Sequence, residues 1–264
     1  MSDFTYTNLE VRHVDGVARL TLGGSNALNA LDQETADELL QAVVELTEDD
    51  SVRCIAITGA GDAFGVGADL SQLEGNDSDA PAIRRLASTL HDAIVQLHQA
   101  EKPVVTAING IAAGAGFSLA LVGDIILVSD EARLEYAYQR VGLTGDGGST
   151  FFLPRLVGLR KAKEIALLGE PIEPDEAVSL GIATETVPAG ELDERLTELS
   201  AQLAAGPTKA FGATKRLISE SFERALPAQL AHETDVIARA THTEDYARGH
   251  TAFMSKDEPE FTGR

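Results

Sequence analysis

The chain has 264 residues, 44% of them hydrophobic, enough for a sizeable core and ordinary for a globular protein. It carries 42 acidic residues against 21 basic ones, a net charge of −21, and only six of the bases are lysine. Such a surface repels nucleic acid and anionic membrane. It also resembles the carboxylate coat of proteins from a salt-loaded (halophilic) cytoplasm, where self-repulsion is screened within about 3 Å at roughly molar salt.

No apolar run approaches the ~20 residues that span a bilayer, and the opening MSDFTYTNLE lacks a basic patch and an apolar segment for export. The single cysteine, Cys54, lies in an apolar, strand-like run and is expected to be an inert core residue. A cytoplasmic location is the expectation.

Two strands open the chain, at 9–14 and 17–22, joined by a turn at Asp15–Gly16. The spacing of Ala36, Leu39, Leu40, Val43, Val44 and Leu46 predicts a helix over 31–47 with Asp32 as its N-cap. A buried strand at 51–58 ends in Gly59-Ala60-Gly61, and an acidic loop at 74–79 leads to a helix over 81–100. A β-branched strand, Val104 to Ile108, then runs into a turn holding Gly110, Gly114 and Gly116, and an apolar helical segment at 117–122 follows. A further strand is expected at 124–128. This αβ alternation predicts one core through about residue 190. From 191 to 264 the pattern is helical, with helices expected over 191–205, 208–220 and 226–250. The helical part should pack on the core or on another subunit.

Three glycine-containing segments carry the chemistry. Ala63 to Leu70 (AFGVGADL) follows a strand, and Gly67 gives the backbone an unusual path that turns the N–H of Ala68 toward a cleft. The turn at 109–116 exposes backbone amides at a helix start, suited to an oxyanion or a phosphate. In the third, VGLTGDGGSTFFLP (141–154), Asp146 stands between glycines at the head of a helix, as a cap or as a base.

In this order and at these spacings the segments resemble the crotonase superfamily, the enoyl-CoA hydratase/isomerase group. The resemblance runs through Asn26-Ala27-Leu28-Asn29-Ala30, Gly67-Ala68-Asp69-Leu70, 109–124, 142–148 and the terminal Ala252-Phe253-Met254-Ser255-Lys256. It implies an α/β fold, a spiral of ββα units with a C-terminal helical trimerisation region, working as a trimer or dimer of trimers on acyl-CoA thioesters. Coenzyme A is then part of the substrate, with no separate cofactor and no metal. The resemblance places the two thioester-binding amides at Ala68 and Ala115. It sets Ala27, Leu28, Gly67, Asp69, Leu70, Gly114, Ser118 and Tyr138 around the substrate. Phe253 and Lys256 would reach the coenzyme A of a neighbouring subunit.

Water addition in this group uses two glutamates, and their positions are held here by Ser118 and Tyr138. Asp146 remains. One carboxylate suffices to take a proton from one carbon and return it to another, so the resemblance favours the isomerase branches, which act on 3-enoyl or ring-epoxide acyl-CoA. Gly145, where a proline is common, is expected to loosen the turn before Asp146. A hydratase with an atypical site, using a water between Ser118 and Asp146, and a non-catalytic acyl-CoA-binding chain are the alternatives.

Two other enzyme classes fit less well. Gly110-x-x-x-Gly114-x-Gly116 imitates a dinucleotide loop, but no tyrosine has a lysine four residues later, as a short-chain dehydrogenase needs. The sequence around Ser118 lacks the second glycine of a nucleophile elbow. The six histidines show no metal-ligand spacing, and four of them, on expected helices, read as ordinary surface residues.

Overall fold

The computed structural model describes residues 6–23, 27–71 and 73–264; Asn26 and the Ala27 side chain lie outside it. The hairpin of β1 (Leu9–Val14) and β2 (Val17–Leu22) falls where the alternation places it. Helix α1 (Gln33–Glu48) starts at the expected cap: Asp32 accepts from the Thr35 amide at 2.8 Å and from its hydroxyl at 2.7 Å.

Three ββα units follow. Their first strands, β3 (Cys54–Gly59), β5 (Val104–Ile108) and β7 (Ile125–Ser129), extend a large sheet of order β1-β2-β3-β5-β7-β9, where β9 is Glu185–Val187. Their second strands, β4 (Ala63–Gly65), β6 (Ile111–Ala113) and β8 (Arg133–Glu135), form a separate, wholly parallel sheet of order β4-β6-β8. The units are completed by α2 (Ala80–Gln99), α3 (Ala115–Ala120) and α4 (Ser149–Leu168), the last broken at Gly158. Helix α5 (Pro174–Ser179) leads to β9.

The large sheet is buried on both faces, which is why its central strands read as unbroken apolar runs. Ile55, Ile57, Val104, Ile108 and Val128 face one core with α1 and α2. Cys54, Ala56, Val105, Ala107 and Leu127 face a second core with Leu192, Leu196 and Leu199 of α6 (Leu192–Ala205). The first helix beyond residue 190 thus packs on the sheet itself. In that second core Cys54 is a free, fully buried thiol, which burial pushes up to about 12.

Helix α7 (Thr208–Glu220) matches its expected bounds, but the long helix expected over 226–250 is two. Helix α8 (Leu226–Ala240) stops, and Thr243 caps α9 (Glu244–Ser255) by accepting from the Tyr246 amide at 3.1 Å. A threonine hydroxyl that satisfies a backbone donor competes with helix continuation. Asp245 then holds the chain end through the amides of Thr262 (2.6 Å) and Gly263 (2.9 Å). Among the described residues no helix is long and apolar enough to cross a membrane.

The small sheet, not visible in the sequence pattern, positions the site. Residues leaving the carboxyl ends of its adjacent parallel strands are brought side by side: 66–70 after β4, 114–118 after β6 and 136–138 after β8.

Candidate active site

The segments after β4 and β6 lie directly against each other. A Cβ on Gly116 would collide with the carbonyl of Gly65, and one on Gly67 would lie 3.0 Å from both Ala113 O and Ala115 N. Gly67 also has φ +90°, a conformation that costs other residues strain. Beyond it, Leu31 donates to Gly67 O (2.8 Å) and accepts from the Asp69 amide (2.9 Å), so residue 68 is clamped with its own amide turned the other way. Ala115 is the first residue of α3, whose opening N–H groups have no partner within the helix. Neither the Ala68 nor the Ala115 amide has an acceptor among the described residues.

Both alanines line a cleft of about 820 Å³. One wall is α2, through Ala82, Ile83, Leu86 and Leu90; Val66, Leu70, Val141 and Leu143 complete an apolar lining. Gly67, Asp69, Gly114, Tyr138 and Asp146 also line it. The cleft thus gathers residues expected from all three glycine-containing segments.

Asp146 does not cap α4. The capping position is Gly148, and the Asp146 carboxylate turns to the cleft, where Oδ1 accepts from the Tyr138 hydroxyl at 2.6 Å. Nor is its turn loose. Gly145 leaves room for the Tyr136 hydroxyl, which any Cβ there would strike, and Tyr136 packs edge-on against Tyr138 with ring centroids 5.0 Å apart.

Ser118, expected against the substrate, is fully buried and stands behind Tyr138, 2.8 Å from its hydroxyl. Burial, together with the neighbouring Asp146 charge, pushes the Tyr138 phenol far up, so it stays protonated. Its oxygen bridges Ser118 and Asp146, occupying the place where a water between those two would sit.

Leu28 is half-exposed (φ +54°) and is not part of the cleft wall; its neighbour Asn29 instead ties the turn down through Ala60 O and Ala63 O. Phe253 is 81% exposed and Lys256 ends α9, both outside this chain's own cleft.

Two site residues were missed by the sequence reading. His91, taken as a surface residue, reaches the Asp146 turn from α2. The Gly147 amide donates to its Nε2 at 3.0 Å, and the same nitrogen lies 3.7 Å from Asp146 Oδ2. One turn of spacing from Ala87 was the available signal, but nothing in the sequence marks which face of α2 meets the cleft. Glu135 also borders the cleft, yet Arg133 (2.5 Å) and Arg140 (2.7 Å) neutralise its buried carboxylate. It is spoken for as a counter-ion and does not replace the absent glutamates.

The comparison with known proteins is decisive at this point: a sequence model described as enoyl-CoA hydratase/isomerase matches residues 12–264. The chain belongs to the enoyl-CoA hydratase/isomerase family of the crotonase superfamily. It is 34% identical over 255 residues to the 1,2-epoxyphenylacetyl-CoA isomerase of Escherichia coli (strain K12), covering 96% of this chain and 97% of that one. It is also 34% identical over 260 residues to 4-chlorobenzoyl coenzyme A dehalogenase-2 of an Arthrobacter species, covering 97% and 94%. The crystal structure of an enoyl-CoA hydratase from Bacillus anthracis superposes with a TM-score of 0.91 at 29% identity, covering 97% of this chain and all of that one. The family member described here is thus similar to enzymes named for different reactions on coenzyme A thioesters.

Proposed function

We propose that this enzyme is an acyl-CoA isomerase that moves a proton along the acyl group through a thioester enolate. One observation carries the reading: the Asp146 carboxylate lines the same cleft as the Ala68 and Ala115 amides, while Ser118 and Tyr138 hold the places of the two hydratase glutamates. The thioester oxygen sits against the amides of Ala68 and Ala115, two fixed donors that stabilise charge as it develops there. Asp146 removes a proton from C2 of a 3-enoyl thioester, and the electron pair spreads onto the thioester oxygen. The carboxylic acid so formed returns the proton at C4, leaving the double bond between C2 and C3. No atom is gained or lost, and no water takes part.

Hydration needs a base for water and an acid for the second proton. With one carboxylate, and with the Tyr138 hydroxyl between Ser118 and Asp146, hydration should run at least about tenfold slower than isomerisation. Turnover of a panel of 3-enoyl-, 2-enoyl- and ring-epoxide acyl-CoA thioesters tests this. Hydration as fast as isomerisation, or faster, sinks the reading.

His91 favours a second reading. A carboxylate 3.7 Å from an imidazole also suits displacement, in which Asp146 attacks the carbon bearing a leaving group, that group departs as its anion, and water then hydrolyses the aspartyl ester. Chloride release from 4-chlorobenzoyl-CoA, added to the same panel, would decide for displacement over proton transfer.

We further propose a trimer or dimer of trimers. Leu159, Leu167 and Leu168 of α4 and Ile218, Leu226 and Ile237 around α7 and α8 are each at least 63% exposed, apolar surface that contacts between subunits would cover. In an assembly, Phe253 and Lys256 are free to meet a neighbour's coenzyme A. Light scattering should give the mass of three or six chains; a stable monomer contradicts the assignment.

A further inference from the structure

The Asp146 carboxylate has two unlike oxygens. Oδ1 accepts the Tyr138 hydroxyl proton at 2.6 Å, whereas Oδ2 receives no hydrogen bond among the described residues. His91 Nε2 lies 3.7 Å from Oδ2 and accepts from the Gly147 amide. Tyr138 is in turn backed by Ser118, whose hydroxyl lies 2.8 Å from the phenol oxygen and has the Gly114 carbonyl, at 3.2 Å, as its other neighbour.

We infer that Tyr138, supported by Ser118, is a positioning residue that occupies Oδ1 of Asp146 and leaves Oδ2 as the one oxygen that carries the proton. The inference rests on the isomerase reading above. An ionised carboxylate only accepts hydrogen bonds, so the phenol proton is committed to Oδ1, and the one Ser118 hydroxyl proton lies between the phenol oxygen and the Gly114 carbonyl. Both groups are buried, Ser118 completely, so solvent does not compete for these bonds. A donor fixed on one oxygen holds the side chain at one rotation and so sets the direction from which the base acts.

Other charged and titratable groups also face this cleft. His91 reaches Asp146 from α2 as a hydrogen-bond acceptor, and Asp32, Glu34 and Arg85 line the same cleft. Glu135 is paired with Arg133 and Arg140, and the Asp69 carboxylate accepts from the Ser71 amide at 2.9 Å. Tyr138 is therefore the donor whose loss Asp146 would feel.

The test is the split between kcat and KM for a 3-enoyl-CoA in full-length Tyr138→Phe and Ser118→Ala, read beside the infrared carboxylate band of ¹³C-labelled aspartate, with Asp146→Asn identifying the band. In Tyr138→Phe the Asp146 band should move because Oδ1 has lost its donor, with kcat lower by about tenfold and KM within about threefold. In Ser118→Ala the changes have the same sign and are smaller. An unmoved band and kcat in Tyr138→Phe overturn the inference; if that variant does not fold, an unmoved band and kcat in Ser118→Ala do so. A dead Asp146→Asn beside an unaltered Tyr138→Phe removes this inference alone. An Asp146→Asn that turns substrate over normally removes the isomerase reading, and the band still judges the hydrogen bond.

Discussion

Asp146→Asn should lower kcat for double-bond migration by about 10²–10⁴-fold, the usual contribution of a positioned general base, while leaving acyl-CoA affinity unchanged. The carboxamide has the shape of the carboxylate and its oxygen still accepts the Tyr138 hydroxyl, so the turn from Gly145 to Gly148 keeps its form. What is lost is a group that can take a proton at neutral pH. The cleft walls that hold the acyl chain are apolar residues on α2 and around Leu143, untouched by the change. Steady-state rates together with calorimetric binding of a non-reacting acyl-CoA separate the two effects. Weakened binding in proportion to the lost rate would make Asp146 an anchor; equal inactivity before and after the change would make the chain a non-catalytic binder.

Gly67→Ala should be nearly as damaging, although it removes no functional group. A backbone donor cannot be deleted by side-chain mutation; it can be displaced. The new Cβ would lie 3.0 Å from Ala113 O and from Ala115 N, tighter than nearly all Cβ contacts, at a residue with φ +90°. The seam should open by a few tenths of an ångström, and the Ala68 and Ala115 amides move apart. Losing one such donor typically costs about 2.7–4 kcal/mol, or 10²–10³ in kcat. The backbone penalty of about 1–2 kcal/mol is affordable within a stability of roughly 5–15 kcal/mol, so the variant should fold. Its rate loss should fall on kcat, with a thermal midpoint lowered by only a few degrees.

Much of the framework is written in the sequence because it rests on local rules. The hairpin, α1 with its Asp32 cap, and the buried strands of the large sheet follow from periodicity and capping chemistry. The small sheet was not legible: strands of three residues such as Ala63–Gly65 and Arg133–Glu135 are too short to show alternation. The division at Thr243 was hidden because a threonine is equally at home in a polar helix face and at a cap. At the site, Ala68, Ala115 and Asp146 were found by motif position, and the fold brings them to one cleft. The hydrogen bond from Tyr138 to Asp146 and the approach of His91 depend on where α2 and the turn after β8 cross in space, and no spacing encodes that crossing. Ser118 was placed one layer too far forward for the same reason: its distance from the cleft is set by the aromatic side chain in front of it.

The account depends on two main-chain amides polarising one thioester oxygen. The difference infrared spectrum of an acyl-CoA labelled with ¹³C at the thioester carbonyl reads that contact directly. In the wild-type complex the carbonyl band should lie below its frequency in water, and in Gly67→Ala it should return toward the free value. A bound carbonyl that absorbs where the free one does, in a complex that still isomerises, would contradict the account.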